Sequence, residues 1–122
     1  MAKEIDLGKY LKTLDEGLKE LYSDKIDLSR YKFKEETPKA YAILRQGLEK
    51  GDMEFISKGL SALHAYTNPD IPENEIMKNY SGDKVVLNLF YKIAGAVKGM
   101  ADEISKAVGE TQAHQEALPQ AA

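Results

Sequence analysis

Hydrophobic residues near the carboxyl end of the chain recur every three or four positions from Lys84 to about Val108. At about 100° per residue, positions with this spacing lie on one stripe of a helix. The stripe consists of Val86, Phe90, Ile93, Val97, Met100, Ile104 and Val108. The pattern predicts a long helix with one buried face, around which the rest of the chain packs.

The opposite side of this helix is polar, and we call it the outer face. It comprises Lys84, Asn88, Tyr91, Lys92, Gly95, Lys98, Gly99, Asp102 and Lys106. No acidic residue occurs between Lys84 and Ala101. A glycine in a helix interior costs about 1 kcal/mol relative to alanine. We therefore interpret the outer face as a surface that admits another backbone, either a partner helix or a phosphate chain. The alternatives are a solvated face and a small-residue seam packed inside the domain.

Three further helices are indicated upstream. A leucine stripe predicts the first helix, with Asp6 as its cap; its members are Leu7, Leu11, Leu14, Leu18 and Leu21. Thr37 and Pro38 predict the start of the second helix, which ends at Gly51. Asp52 is a good cap for a third helix from Met53 to about Thr67. Because the junction between the last two is short, they are expected to form an antiparallel hairpin.

Two prolines at positions 69 and 72 mark the clearest break in the chain. We expect a short helix from Pro72 to Tyr80, with Ile76, Met77 and Tyr80 facing inward. Gly82 is expected to end it in a left-handed conformation, and Ser81 or Asp83 to cap the long helix. Residues 1–109 are thus predicted to form a single all-α domain, a small bundle of about four to five helices. Residues 110–122 are predicted to be a disordered tail.

A run of alternating cations and aromatic residues precedes the second helix. This run, which we call the basic loop, comprises Arg30, Tyr31, Lys32, Phe33 and Lys34. If extended, it presents three cations on one side and two rings on the other. One hypothesis is that it tracks a phosphate backbone while its rings stack on bases. The alternative is a connector that Tyr31 and Phe33 pin to the core.

Composition restricts the classes of function. The 122 residues carry a formal net charge of −3, which argues against free-standing, charge-driven binding of DNA or RNA. The absence of cysteine excludes disulfides, thiolate zinc sites and cysteine nucleophiles. Because the chain contains no apolar run of membrane-spanning length and its first residues do not resemble a signal peptide, we expect a soluble, cytoplasmic protein with no membrane contact.

We identify no catalytic residue, metal ligand set or cofactor motif in the sequence. No acid precedes His64 by three or four residues, so a helical metal pair is absent there, and His114 lies in the predicted tail. The acidic clusters at Glu73–Glu75 and Asp102–Glu103 lack the spacing of a calcium loop. Glycine-rich phosphate loops and nucleophile motifs are also missing. The chain is therefore expected to be non-enzymatic.

The leading hypothesis is a non-catalytic helical subunit or adaptor that binds another macromolecule. In its specific form the chain lines a nucleic-acid path in a nucleoprotein assembly, as the small subunits of CRISPR effector complexes do. That analogy rests on size and architecture alone. The specific form requires one surface to carry all five cations, Lys92, Lys98, Arg30, Lys32 and Lys34. One alternative is an inhibitor, antitoxin or immunity-type factor with a protein partner. Another is a self-associating bundle, a homo-oligomer that uses the leucine stripe of the first helix as its seam.

Overall fold

The computed structural model describes residues 7–116, and the side chains of residues 7–107. Over this range the chain forms five α-helices and one 3-10 turn, and contains no strand. The helices are α1 (Gly8–Leu21), α2 (Glu36–Lys50), α3 (Met53–Thr67), α4 (Ile76–Tyr80) and α5 (Lys84–Glu116), and the 3-10 turn is Pro72–Asn74. The predicted all-α class is confirmed.

Helix α5 is the centre of the fold, with α1 packed on one side and α3 on another. Its predicted apolar stripe is buried: Val86, Phe90, Ile93, Val97, Met100 and Ile104 are each at most 8% exposed. The side chain of Val108 lies outside the described residues. Burial of these apolar side chains supplies the main stabilisation of the bundle, at roughly 25 cal/mol per Å² of apolar surface removed from water.

Helix α1 lies antiparallel to α5 at close range. Near the start of α1, the ring of Tyr10 lies against Gly99, and further along α1 Gly17 faces Ile93. A Cβ atom on Gly17 would lie only 2.8 Å from Ile93 Cγ1. The leucine stripe of α1 is buried in this same core, apart from the half-buried Leu11. Because the stripe is used inside the chain, its interpretation as a dimer seam is wrong.

Helices α2 and α3 form the predicted hairpin. Gly51 ends α2 in the left-handed conformation with φ of 67°, where glycine has no steric penalty. Asp52 Oδ1 accepts hydrogen bonds from the amides of Glu54 (3.0 Å) and Phe55 (3.3 Å), and so caps α3 as expected. The two helices cross closely at two glycines, Gly47 on α2 and Gly59 on α3.

The predicted start of α2 is wrong by a short distance. The helix begins at Glu36, and Thr37 does not cap it. Thr37 is fully buried, and its hydroxyl donates to the carbonyl oxygen of Phe33 at 2.9 Å. The hydroxyl is thus used by the preceding loop and not by the helix terminus. Asp6, the predicted cap of α1, lies outside the described residues.

The segment after α3 also differs from expectation. The predicted helix from Pro72 to Tyr80 is interrupted at Glu75, which has a positive φ of 59°. Ile76 and Tyr80 are buried as predicted, but Met77 is 44% exposed because the interruption rotates α4 relative to the preceding turn. Helix α4 ends at Tyr80 without the predicted left-handed stop at Gly82.

The two ends of α5 test two further predictions. Asp83 Oδ1 accepts from the amide of Val86 at 3.2 Å, which confirms Asp83 as a cap. The helix, predicted to end near Val108, extends to Glu116. The remainder of the predicted tail, residues 117–122, lies outside the described residues.

Candidate binding surfaces

The basic loop is folded into turns and is not extended. Tyr31 is 4% exposed. Its hydroxyl oxygen lies within hydrogen-bonding distance of Thr37 Oγ1 (2.6 Å) and of the carbonyl oxygen of Tyr66 (3.0 Å), and its ring meets the Phe90 ring edge-on at 4.9 Å between centroids. Burial raises the pKa of Tyr31 and keeps its hydroxyl neutral. Because the ring is enclosed by the core, the hypothesis that Tyr31 stacks on a base is wrong.

The other members of the basic loop contact the end of α3, the 3-10 turn and α4. The ring of Phe33 is half-buried and stacks on Tyr66 at 4.5 Å between centroids. Lys32 Nζ lies 5.3 Å from the Phe33 centroid and donates to the Glu73 carbonyl at 3.5 Å. The Arg30 carbonyl accepts from Asn79 Nδ2 at 2.9 Å. The loop is therefore a connector pinned to the core, as in the alternative interpretation. The side chains of its three cations are exposed to solvent.

Lys34 lies on the α1 side of this connector. Its carbonyl oxygen accepts a hydrogen bond from the Tyr22 hydroxyl at 2.6 Å, and its own side chain is exposed. Burial raises the pKa of Tyr22 to about 12. The backbone of the basic loop is thus held at one end by Asn79 and at the other by Tyr22.

The outer face of α5 remains open along most of its length. Lys84, Asn88, Lys92, Gly95 and Lys98 are all exposed. Gly99 is different, because the ring of Tyr10 fills the space that a Cβ atom would need. Gly99 therefore belongs to a seam inside the domain. At Gly95, by contrast, a Cβ atom would meet none of the described atoms within 4 Å, so the backbone there faces open space.

Lys92 and Lys98 lie on either side of Gly95. Each is three residues away, which places it about 60° around the helix from Gly95, in opposite directions. Lys92 lies on the side of α1, in nearly the same direction as Gly99, which is seven residues further along. Lys98 lies on the side of α3 and lines a groove there. The result is an exposed backbone segment with one lysine along each edge.

The structure places the basic loop near the start of α5 and well away from Lys98. Arg30 and Lys32 lie beside α4 and the 3-10 turn, near the start of α5. At 1.5 Å per residue, Lys98 lies about 21 Å along the helix from Lys84. The cations therefore do not all form a single path. Only the lysines of the outer face remain on one continuous surface.

Tyr91 of the outer face forms a small aromatic patch with Asp70 and Met77, two residues that the sequence did not place there. Tyr91 is 40% exposed, and its hydroxyl donates to Asp70 Oδ1 at 2.9 Å. The hydroxyl also lies 4.0 Å from the sulfur of the exposed Met77. The hydrogen bond to Asp70 raises the pKa of Tyr91. Sequence periodicity places Met77 in the core and so conceals the patch.

A groove between α3 and α5 is the second feature that the sequence did not reveal. Its volume is about 470 Å³, and it is lined by Ser57, Leu60, Ser61, His64, Asn68, Val97, Lys98, Ala101, Ile104 and Ser105. Leu60, Val97 and Ile104 form its buried floor, whereas His64 and Lys98 are exposed at its rim. In the sequence, this groove is indicated only by small residues that lie one turn apart on both helices. We call this feature the α3–α5 groove.

The described residues contain no group of three or more His, Cys, Asp and Glu side chains that could hold a metal ion. The side chain of His114 lies outside this range. In the part of the chain that the structure describes, every helix is too short or too polar to cross a membrane. No protein-family model, curated protein or solved structure matches this chain.

Proposed function

We propose that the chain is a non-catalytic helical subunit that contacts nucleic acid through the outer face of α5 within a nucleoprotein assembly. The observation that carries this proposal is the exposed backbone at Gly95 with Lys92 and Lys98 on its two edges. A glycine at an exposed position in a helix interior lowers stability by about 1 kcal/mol and gains no packing in return. Close approach of another backbone accounts for that choice of residue.

The chemistry of the outer face suits a phosphate chain. Lysine side chains neutralise phosphates, and a strand that runs over Gly95 meets one ammonium group on each side. Asn88 and Tyr91 are exposed on the same face and offer an amide and a ring. These are groups that bind sugar–phosphate oxygens and stack on bases. The stretch from Lys84 to Ala101 contributes no acid to this path, and the nearby Asp70 carboxylate is hydrogen-bonded to the Tyr91 hydroxyl.

The net charge of the chain determines the context of this contact. At −3, the chain as a whole repels nucleic acid, and a few lysines supply only part of the attraction needed for independent binding. We therefore place the contact in an assembly, in which neighbouring proteins hold the chain against the nucleic acid.

A second candidate function is favoured by the aromatic patch. Tyrosine and methionine side chains are enriched at protein interfaces, and Tyr91 forms such a group with Met77 and Asp70 at the edge of the outer face. On this alternative the chain is an inhibitor, antitoxin or immunity-type factor whose partner is a protein. It predicts binding that does not depend on Lys84 and Lys92.

The test is capture of the tagged full-length chain from its native host, with half of each sample treated with nuclease. The test variant combines Lys84→Glu and Lys92→Glu, two lysines of the outer face that do not line the α3–α5 groove. The control variant combines Lys12→Glu and Lys39→Glu, which change the net charge equally at exposed positions on α1 and α2. We expect nucleic acid to co-purify with the unmodified chain and the control, and to fall at least about tenfold with the test variant, equivalent to about 1.4 kcal/mol.

Circular dichroism checks that both variants keep their helicity. Recovery of a stoichiometric protein partner that is unaffected by nuclease and by the test variant would instead favour the inhibitor-type function. Equal nucleic-acid recovery from the test and control variants would remove the outer face from the proposal.

A further inference from the structure

We infer that the α3–α5 groove is a separate docking site, and that it takes a helix of a partner protein with acidic residues along its edge. The groove lies between two helices that each pack against another helix on the side opposite the groove. Helix α1 packs on the far side of α5, and α2 packs on the far side of α3. The described part of the chain therefore leaves room for one more helix beside the bundle.

The shape of the groove suits a helix. Its walls are low because Ser57 and Ser61 lie one turn apart on α3, and Ala101 and Ser105 lie one turn apart on α5. Small side chains allow a third helix to approach within the usual 8 to 10 Å between axes, as a rough guide. From Ser57 to Asn68 the groove extends for about 16 Å, or three helical turns.

The charge of the groove favours a partner helix with acidic residues. None of its ten lining residues is acidic, whereas Lys98 and His64 are exposed at its rim. The chain as a whole is acidic, with a net charge of −3, so an acid-free groove is a local departure from its surface. Glutamate or aspartate residues along the edge of a docked helix complement this rim and avoid the acidic remainder of the chain.

The floor of the groove favours a protein over a nucleic acid. It is formed by Leu60, Val97 and Ile104, which are apolar and present no hydrogen-bond donor to a phosphate group. A helix gains from such a floor by burying its own apolar side chains, as in other helix-in-groove interfaces. A phosphate chain gains nothing there. This inference does not depend on the nucleic-acid contact proposed for the outer face.

The absence of cysteine allows a site-specific test. A tagged full-length chain with Ser61→Cys is labelled with a thiol-reactive photo-crosslinker, mixed with nuclease-treated extract of the native host, and irradiated. The control is Ala42→Cys, at an exposed position on α2. Cross-linked peptides are identified by mass spectrometry, and each experiment is repeated with Lys98→Glu in the same chain.

We expect position 61, and not position 42, to cross-link to one peptide of a partner protein, with acidic residues spaced three or four apart. Lys98→Glu should lower that yield at least about tenfold. The inference is overturned by a yield at position 61 no higher than at position 42, including no cross-link at either. Cross-linking to a second copy of this chain, to nucleic acid, or to a peptide without acidic residues also overturns it. So does a cross-linking yield that Lys98→Glu leaves unchanged.

Discussion

Tyr31 shows how one side chain determines the path of the connection between α1 and α2. Its hydroxyl joins the buried Thr37 to the end of α3, and its ring packs on Phe90 of the central helix. A single tyrosine thus contacts three separate parts of the chain. A buried hydroxyl of this kind is costly to remove, because its partners lose a hydrogen bond without regaining water.

Tyr31→Phe should lower the free energy of unfolding by about 1 to 3 kcal/mol, since the carbonyl of Tyr66 and the hydroxyl of Thr37 each lose a partner. Urea denaturation followed by circular dichroism measures this change. The matched control is Tyr91→Phe, which removes an exposed hydroxyl bonded to an exposed carboxylate. The control should change stability by less than about 0.5 kcal/mol. Equal losses in the two variants would show that the Tyr31 hydroxyl has no structural role.

At the level of single residues, the sequence predicts local chemistry better than tertiary contacts. Gly51 and Asp52 behave as predicted because a left-handed stop and a helix cap depend on neighbours within a few residues. The prediction for Thr37 is wrong because its hydroxyl is taken by Phe33 and Tyr31, contacts that local capping rules do not include. Met77 is exposed because Glu75 interrupts the helix, and a positive φ at glutamate has no sequence signal.

In the described helices, Gly17, Gly47, Gly59 and Gly99 lie against another helix, whereas Gly95 faces open space. A Cβ atom on Gly59 would lie 2.7 Å from the amide nitrogen of Leu44, and one on Gly47 would lie 2.7 Å from that of Ile56. Both contacts are with backbone atoms of the facing helix. The α2–α3 hairpin is therefore packed too closely to accept any side chain at these two positions.

Gly59→Ala should lower the free energy of unfolding by about 1 to 3 kcal/mol, because the added methyl overlaps backbone that cannot move independently. Gly95→Ala should raise it by up to about 1 kcal/mol, because alanine favours the helix and meets no neighbour. Thermal and urea denaturation of the two variants provide the comparison. Destabilisation by Gly95→Ala would mean that this position is packed inside the domain, contrary to the structure.

Periodicity predicted which helices form and which of their sides are buried, but not which side each helix presents to which neighbour. The stripe of α5 was predicted residue by residue because a helix buries positions at a fixed spacing. Gly95 and Gly99 had the same interpretation in sequence, yet Tyr10 covers only Gly99. The α3–α5 groove likewise depends on how two helices far apart in sequence are placed side by side, which periodicity alone does not reveal.

In the molecule as a whole, α5 carries two adjoining surfaces around a common core, with Lys98 at the border between them. Its outer face presents Gly95 between two lysines, and its side next to α3 presents the groove. The folded basic loop joins neither surface, because its rings pack inward and its backbone is tied to α4 and Tyr22. A chain with two surfaces on one helix is suited to bridging two neighbours in an assembly, which is the basis of the proposed role.

The most direct test of the outer-face contact is the amount of nucleic acid recovered with a Gly95→Leu variant from the native host. The matched control is Ala42→Leu, an equivalent addition at an exposed position of α2. We predict that Gly95→Leu folds normally and recovers at least about tenfold less nucleic acid, because its side chain blocks approach to the backbone. Undiminished recovery with Gly95→Leu would contradict the central claim.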